Sequence, residues 1–259
     1  MIDSHCHLDF RDFDRNREEV IAEARRVGIT RMVNIGADLP TSENSVELAT
    51  RYDDIYAAVG VHPHDASTLD DNCLAGIREL AAHKKVVAIG EIGLDYYRDL
   101  SPRREQKKAF HRQMQLAVDL KLPVVIHTRE AFEETYLIAA EYSDLIPGGV
   151  FHCFPGDVDQ AMQVIELGFV IGIGGVVTYK NSSMSRVAAE IPLERILLET
   201  DAPFLTPMPY RGKEKNQPAF VRFVRDKIAE LRGITPAEVE KVTDRNSGKL
   251  FSLVETFGD

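Results

Sequence analysis

The chain has 259 residues, 44% of them hydrophobic and 28% charged, with a formal net charge of −10. These values fit one well-buried globular domain spanning 1–259. They argue against disorder, and the negative charge argues against a protein that coats nucleic acid through bulk electrostatics. The start, Met1-Ile2-Asp3-Ser4-His5, lacks the basic and apolar run of a secretory signal. No apolar stretch approaches the ~20 residues of a membrane span. Three cysteines, Cys6, Cys73 and Cys153, do not suggest a disulfide scaffold, so a cytoplasmic location without membrane partners is expected.

Short apolar runs rich in Val, Ile and Leu alternate with helical patterns along the chain. Strands are expected near Met1–His5, Arg31–Ile35, Ile55–Val59, Val86–Ile89, Val124–His127, Gly149–His152, Val170–Gly172 and Ile196–Glu199. Helices are expected from about Arg17 to Val27, from Ser101-Pro102 with Ser101 as N-cap, from Pro218 to Leu231, and from Thr235, where Thr-Pro-Ala-Glu has the spacing of a capping box. Eight βα units without a long linker predict a (β/α)8 barrel. An open doubly wound sheet is the alternative. No G-x-G-x-x-G follows the first strand to support it.

Histidines and acids gather at the C-terminal ends of these strands, the face on which barrel enzymes place their active sites. His5 and His7 stand two apart at the end of the first strand, so both imidazoles face the interior while Cys6 faces away. Glu91 closes the fourth strand, His127 the fifth and His152 the sixth, and Asp201 follows the eighth. Singly, each is commonplace: a buried histidine usually satisfies the core, and a strand-end acid often caps a helix. Together they form a ligand set for two divalent ions, with Mg, Mn or Zn all compatible, and no organic cofactor is needed. In such a site Glu91 is placed to bridge the ions. Asp201 can take a proton from attacking water, or act as a ligand alone.

Other residues admit two readings. Arg129 lies two beyond His127, so alternation aims it at the same mouth, as a phosphate partner or as one half of an ion pair with Glu130 or Glu91. His62 and His64 end the third strand on one face. His62 can donate to a phosphate oxygen or bond a neighbouring carboxylate. Tyr96 and Tyr97 serve as pocket walls unless a base stacks on them. Gly172-Ile173-Gly174-Gly175 either cradles phosphate or permits close packing. Arg211, Lys213 and Lys215 follow the eighth strand and either steer a polyanion or form a solvated loop, while Arg103, Arg104, Lys107 and Lys108 read as a solvated helix face.

At these residues the chain resembles the TatD family of metal-dependent deoxyribonucleases, in the amidohydrolase-like barrel superfamily. The matching stretches, in family order, are Asp3–Leu8, Gly60–His64, Gly90–Tyr96, His127–Glu130, His152–Gly156 and Glu199–Phe204, with Asn246 and Leu250-Phe251 near the end. The resemblance implies 3′-to-5′ exonuclease action on single-stranded DNA ends. It also implies that His5, His7, Glu91, His127, His152 and Asp201 are metal ligands and that His62 is a substrate-side residue. One departure is visible: Lys215-Asn216-Gln217-Pro218 stands where the family often has Arg-Asn-Glu-Pro. A metal-dependent acyl-ester or amide hydrolase, such as an aminoacyl-tRNA deacylase, would use the same activated water. A non-catalytic metal-binding barrel is the third possibility. Native metal, cleavage polarity and oligomeric state are not encoded in these motifs.

Overall fold

A computed structural model of the chain describes residues 1–253. Eight strands alternate with helices: β1 (Ile2–Cys6), α1 (Arg17–Arg26), β2 (Arg31–Ile35), α2 (Leu39–Arg51), β3 (Ile55–Val59), α3 (Asp71–Ala81), β4 (Val86–Asp95) and α4 (Arg103–Leu120). The second half continues with β5 (Val124–Arg129), α5 (Phe132–Tyr142), β6 (Gly149–Phe151), α6 (Val158–Glu166), β7 (Val170–Ile173), α7 (Met184–Glu190), β8 (Ile196–Leu198), α8 (Val221–Arg232) and α9 (Pro236–Leu250). The strands pair in parallel in chain order from β1 to β8. This is the (β/α)8 barrel expected from the alternation. Among the described residues, no helix is long and apolar enough to cross a membrane.

Strand alternation divides the core in two. One set of side chains packs under the helices. The other, Ile2, Val33, Ala58, Ala88, Val125, Val150, Val170 and Leu197, takes one residue from each strand and fills the barrel interior. Phe251 and Leu253, just beyond α9, join that inner cluster and floor it. The seam between β8 and β1 is closed near the opposite end. Ser4 Oγ donates to Leu198 O at 2.9 Å, Asp201 N to His5 O at 2.9 Å, and His7 N to Ala202 O at 2.8 Å. Helix α9 ties the same two strands from below. Ile2 N donates to Asp244 Oδ1 at 2.8 Å, and Asn246 Nδ2 donates to Leu193 O and Ile196 O at 2.9 and 2.8 Å.

Several boundaries differ from expectation. β4 runs on to Asp95, because Ile92 to Asp95 keep pairing with Ile126 to Arg129, so Glu91 lies within the strand instead of closing it. Ser101 does not cap α4. Its hydroxyl donates to His64 O and accepts from Ser67 N, and Pro102 is the N-cap without a side-chain bond. Pro218 opens a 3-10 turn ahead of α8. The capping box at Thr235 and Glu238 is present. Shortening Phe251 to Ala empties the floor of the barrel and is expected to lower unfolding stability by about 3–5 kcal/mol. Urea titration followed by circular dichroism checks this, with a shifted midpoint and an unchanged slope.

Candidate metal centre

The barrel closure brings the two ends of the chain's chemistry together. A register shift between Asp3 and Cys6 spans His5, and His7 follows it. Asp201 adopts a left-handed backbone conformation (φ 56°), tolerated by aspartate, and the turn is fixed by Phe204 N donating to Asp201 O at 2.8 Å. The Asp201 carboxylate then stands 3.4 Å from His7 Nε2 and 3.6 Å from His5 Nε2.

Glu91 is the hub. Its Oε2 lies 3.5 Å from His5 Nε2 and 3.9 Å from His7 Nε2. Its Oε1 lies 2.7 Å from His152 Nε2, 2.8 Å from His127 Nδ1 and 3.5 Å from His62 Nε2. The rings of His5 and His152 stack at 3.9 Å across the site. Three overlapping groups have ligand atoms within 4.8 Å of one another: His5, His152 and Asp201; His5, His7 and Glu91; His62, Glu91 and His127. All six sequence-derived ligand candidates therefore meet.

The donor set fits a divalent cation. His7 Nδ1 donates to Ile35 O at 2.9 Å, which turns Nε2 toward His5 Nε2, 3.2 Å away. Two imidazole nitrogens facing one another beside the carboxylates of Glu91 and Asp201 call for a shared positive charge, a proton or a cation. His62 differs, because its Nδ1 accepts from His64 N at 3.1 Å. The proton of its neutral ring therefore sits on Nε2, making His62 a hydrogen-bond donor toward Glu91.

The charges follow from these contacts. Burial, reinforced by His152, pushes His5 down to about 4, and burial likewise holds His62 at about 4. Burial acts the same way on His7 but is outweighed by the Asp201 hydrogen bond and charge, which raise it to about 9. Burial lowers His127 too, but the hydrogen bonds it donates to Asp95 and Glu91 overcome this and raise it to about 9. For Glu91, burial opposes ionisation, yet the surrounding histidines, His152 foremost, keep it well below the usual carboxylate range. Asp201 is lowered by His7 in the same way. Beneath them, burial raises Asp3 to about 7 and Glu199 to about 8.

Sequence reasoning missed the supports. Asp95 Oδ2 receives His64 Nε2 at 2.9 Å and His127 Nε2 at 3.1 Å, fixing the His127 ring. Asp95 sits four residues past Glu91 on the same buried strand and inside the Gly90–Tyr96 stretch of the resemblance, but neither signal gave it a role. Asp3 receives Thr200 N at 2.9 Å and Thr200 Oγ1 at 2.6 Å. Glu199 receives Cys153 N. Cys153 itself belongs to none of the three groups. Among the described residues, Arg129 forms no ion pair with Glu130 or Glu91. It is exposed, with its guanidinium 3.9 Å from the centre of the Tyr97 ring. Gly172 and Gly175 are packing residues: a Cβ would meet Glu199 Oε2 at 2.4 Å and Leu205 O at 2.1 Å. Of the loop cations, Lys215 pairs with Asp12 at 2.6 Å and Arg211 covers the Tyr179 ring.

A family model described as "TatD related DNase" matches residues 2–252. An "Uncharacterized metal-dependent hydrolase YabD" of Bacillus subtilis is 43% identical over 254 residues, covering 98% of this chain and 99% of that protein. A "3'-5' ssDNA/RNA exonuclease TatD" of Cronobacter sakazakii is 39% identical, covering 97% of each chain. The crystal structure of YjjV, a TatD homologue from Escherichia coli K12, superposes with a TM-score of 0.92 at 32% identity over 98% of each chain.

Gly172→Ala is expected to press on the Glu199 carboxylate and the His152 backbone, costing about 1–3 kcal/mol of stability. The same substitution should weaken metal uptake. Thermal unfolding with and without added Mn checks both effects, since ligand stabilisation scales with affinity.

Proposed function

The chain belongs to the TatD-related DNase family of metal-dependent hydrolases, and from that premise we propose that it removes nucleotides from the 3′ ends of single-stranded DNA. The ligands in this reading are His5, His7, Glu91, His127, His152 and Asp201. The observation that carries it is the position of Glu91, with one oxygen toward His5 and His7 and the other toward His127 and His152. A carboxylate so placed would help to hold divalent ions together with the histidines on both of its sides. Divalent ions bound there supply an ionised water near neutral pH and polarise the phosphoryl oxygen.

The protein's own groups do the remainder. Asp201, held ionised beside His7, accepts the proton of the attacking water. His62 presents its Nε2 proton to a phosphoryl oxygen, and its neutrality keeps that proton available. Asp95 accepts from His127 Nε2 and holds the ring in one orientation, with Nδ1 facing Glu91 as the nitrogen for a ligand role. Arg129, at the rim, offers a cation to an approaching phosphate.

End-labelled single-stranded DNA incubated with Mg, Mn or Zn should shorten stepwise from its 3′ end, and chelator should stop it. Asp201→Asn should reduce the rate by about 10²- to 10⁴-fold. Intact DNA in every lane, from protein shown to hold metal, overturns the nuclease reading, and turnover of aminoacyl-tRNA instead would select acyl-ester hydrolysis.

Metal loading has a sign that can be predicted. His7 and His127, held at about 9, carry protons at pH 7 and must release them to bind an ion through nitrogen. Titrating metal-stripped protein at pH 7 should therefore release about two protons per chain, falling toward zero as pH rises through 9. Calorimetry in buffers of different ionisation enthalpy measures the count.

A further inference from the structure

Two large aromatic rings stand half exposed at the mouth of the barrel. Phe204 is 50% exposed and lies 6.3 Å, ring to ring, from His7 and 6.0 Å from Phe10. Tyr97 is 53% exposed and follows β4, two residues past Asp95, whose Oδ1 accepts its backbone N–H at 3.0 Å. In a barrel whose strands run in order, the end of β4 and the segment after β8 face each other across the mouth. One ring therefore flanks the His5–His7–Asp201 side of the site and the other flanks the His127 side.

Neither ring is there to fill the core, yet the loop that carries Phe204 is firmly built. The buried Asn216 donates through Nδ2 to Thr200 O at 2.7 Å and to Phe204 O at 2.6 Å. Tyr179 Oη donates to Thr206 O at 3.0 Å, and Gly175 lacks the Cβ that would strike Leu205 O. Leu205 and Met208 are exposed on the same loop. Hydrogen bonds to its backbone, one of them fully buried, thus hold the loop that presents an exposed apolar ring beside the site. On the facing wall, two guanidiniums lie over the Tyr97 ring, Arg129 at 3.9 Å and Arg98 at 5.9 Å from its centre, and Tyr97 stays half exposed.

We infer that Phe204 and Tyr97 are stacking platforms for the unpaired bases on either side of the scissile phosphodiester. This rests on the nuclease reading and gives it a strand preference. A planar base has a π face for each ring, whereas the bases of a duplex are already stacked on one another. The apolar platform beside His7 takes a base alone. The Tyr97–Arg129 platform takes a base with a cation within reach of its phosphate.

The test uses the metal-loaded enzyme and a labelled oligonucleotide, with equilibrium binding and steady-state hydrolysis both read. Phe204→Ala is expected to weaken binding and raise KM by about 5- to 150-fold, with kcat much less affected. Phe204→Tyr should restore both and Phe204→Leu should not. Tyr97→Ala should behave as Phe204→Ala does. On an oligonucleotide whose two 3′-terminal nucleotides lack bases, the penalty of each variant should shrink several-fold. Equal binding by wild type and Phe204→Ala, full rescue by leucine, or an equal penalty on the abasic strand overturns the stacking inference. Oligonucleotide bound in a Phe204-dependent way but never cleaved overturns the nuclease reading and leaves stacking standing. No binding by the wild type overturns both.

Discussion

The structure depends on one closure, the meeting of β1 with the segment that follows β8. Parallel pairing in chain order leaves only this seam to join, and the bonds that join it come from the residues of the site itself. Asp201 donates its backbone N–H to His5 O, and its side chain faces His7. The same short stretch therefore completes the sheet and completes the ligand cluster. Without closure, His5 and His7 would have no carboxylate from the far end of the chain.

Charge balance is the second organising fact. The protein is acidic overall, yet its mouth holds five imidazoles around one glutamate. Burial pushes some of these rings toward neutrality, and neighbouring carboxylates pull others toward charge. Two further acids, Asp3 and Glu199, lie below in a dry layer where burial favours their protonated forms. The site thus grades downward from ionised Glu91 and Asp201 to an apolar interior. An isolated charge at the bottom would be unsupported, and the hydrogen bonds of Thr200 and Cys153 meet the acids there.

Much of this was legible in the chain. Short β-rich runs, several of them continuous in Val, Ile and Leu, marked all eight strands, because strands buried on both faces need no polar alternation. Alternation also put His5 and His7 on one face, and strand ends located His127, His152 and Asp201. The supports were not legible, since their role lies in contacts between distant segments. Asp95 serves His127 only because β4 runs past Glu91, and Asp3 serves Thr200 across nearly the whole chain. Ser101 had the local features of an N-cap, but its hydroxyl was taken by the backbone near His64. Phe204 ended the Glu199–Phe204 stretch of the resemblance, but nothing local distinguishes a ring in water from a ring in the core.

The floor formed by Phe251 and Leu253 bears on how the chain is made. The interior takes a residue from every strand, and its plug comes from beyond position 250. Ile2 bonds Asp244, a partner 242 residues away. A chain emerging from the ribosome must therefore carry β1 with an unpaired edge through almost the whole of synthesis. Helices and neighbouring strands can form as they appear, but the ring cannot shut until its last strand and plug are free. Asp201 would then meet His5 and His7 only at closure, so the candidate metal site stays incomplete in the nascent protein. The cost falls on that waiting edge, which makes the interval before closure the one in which this fold depends most on protection from its neighbours.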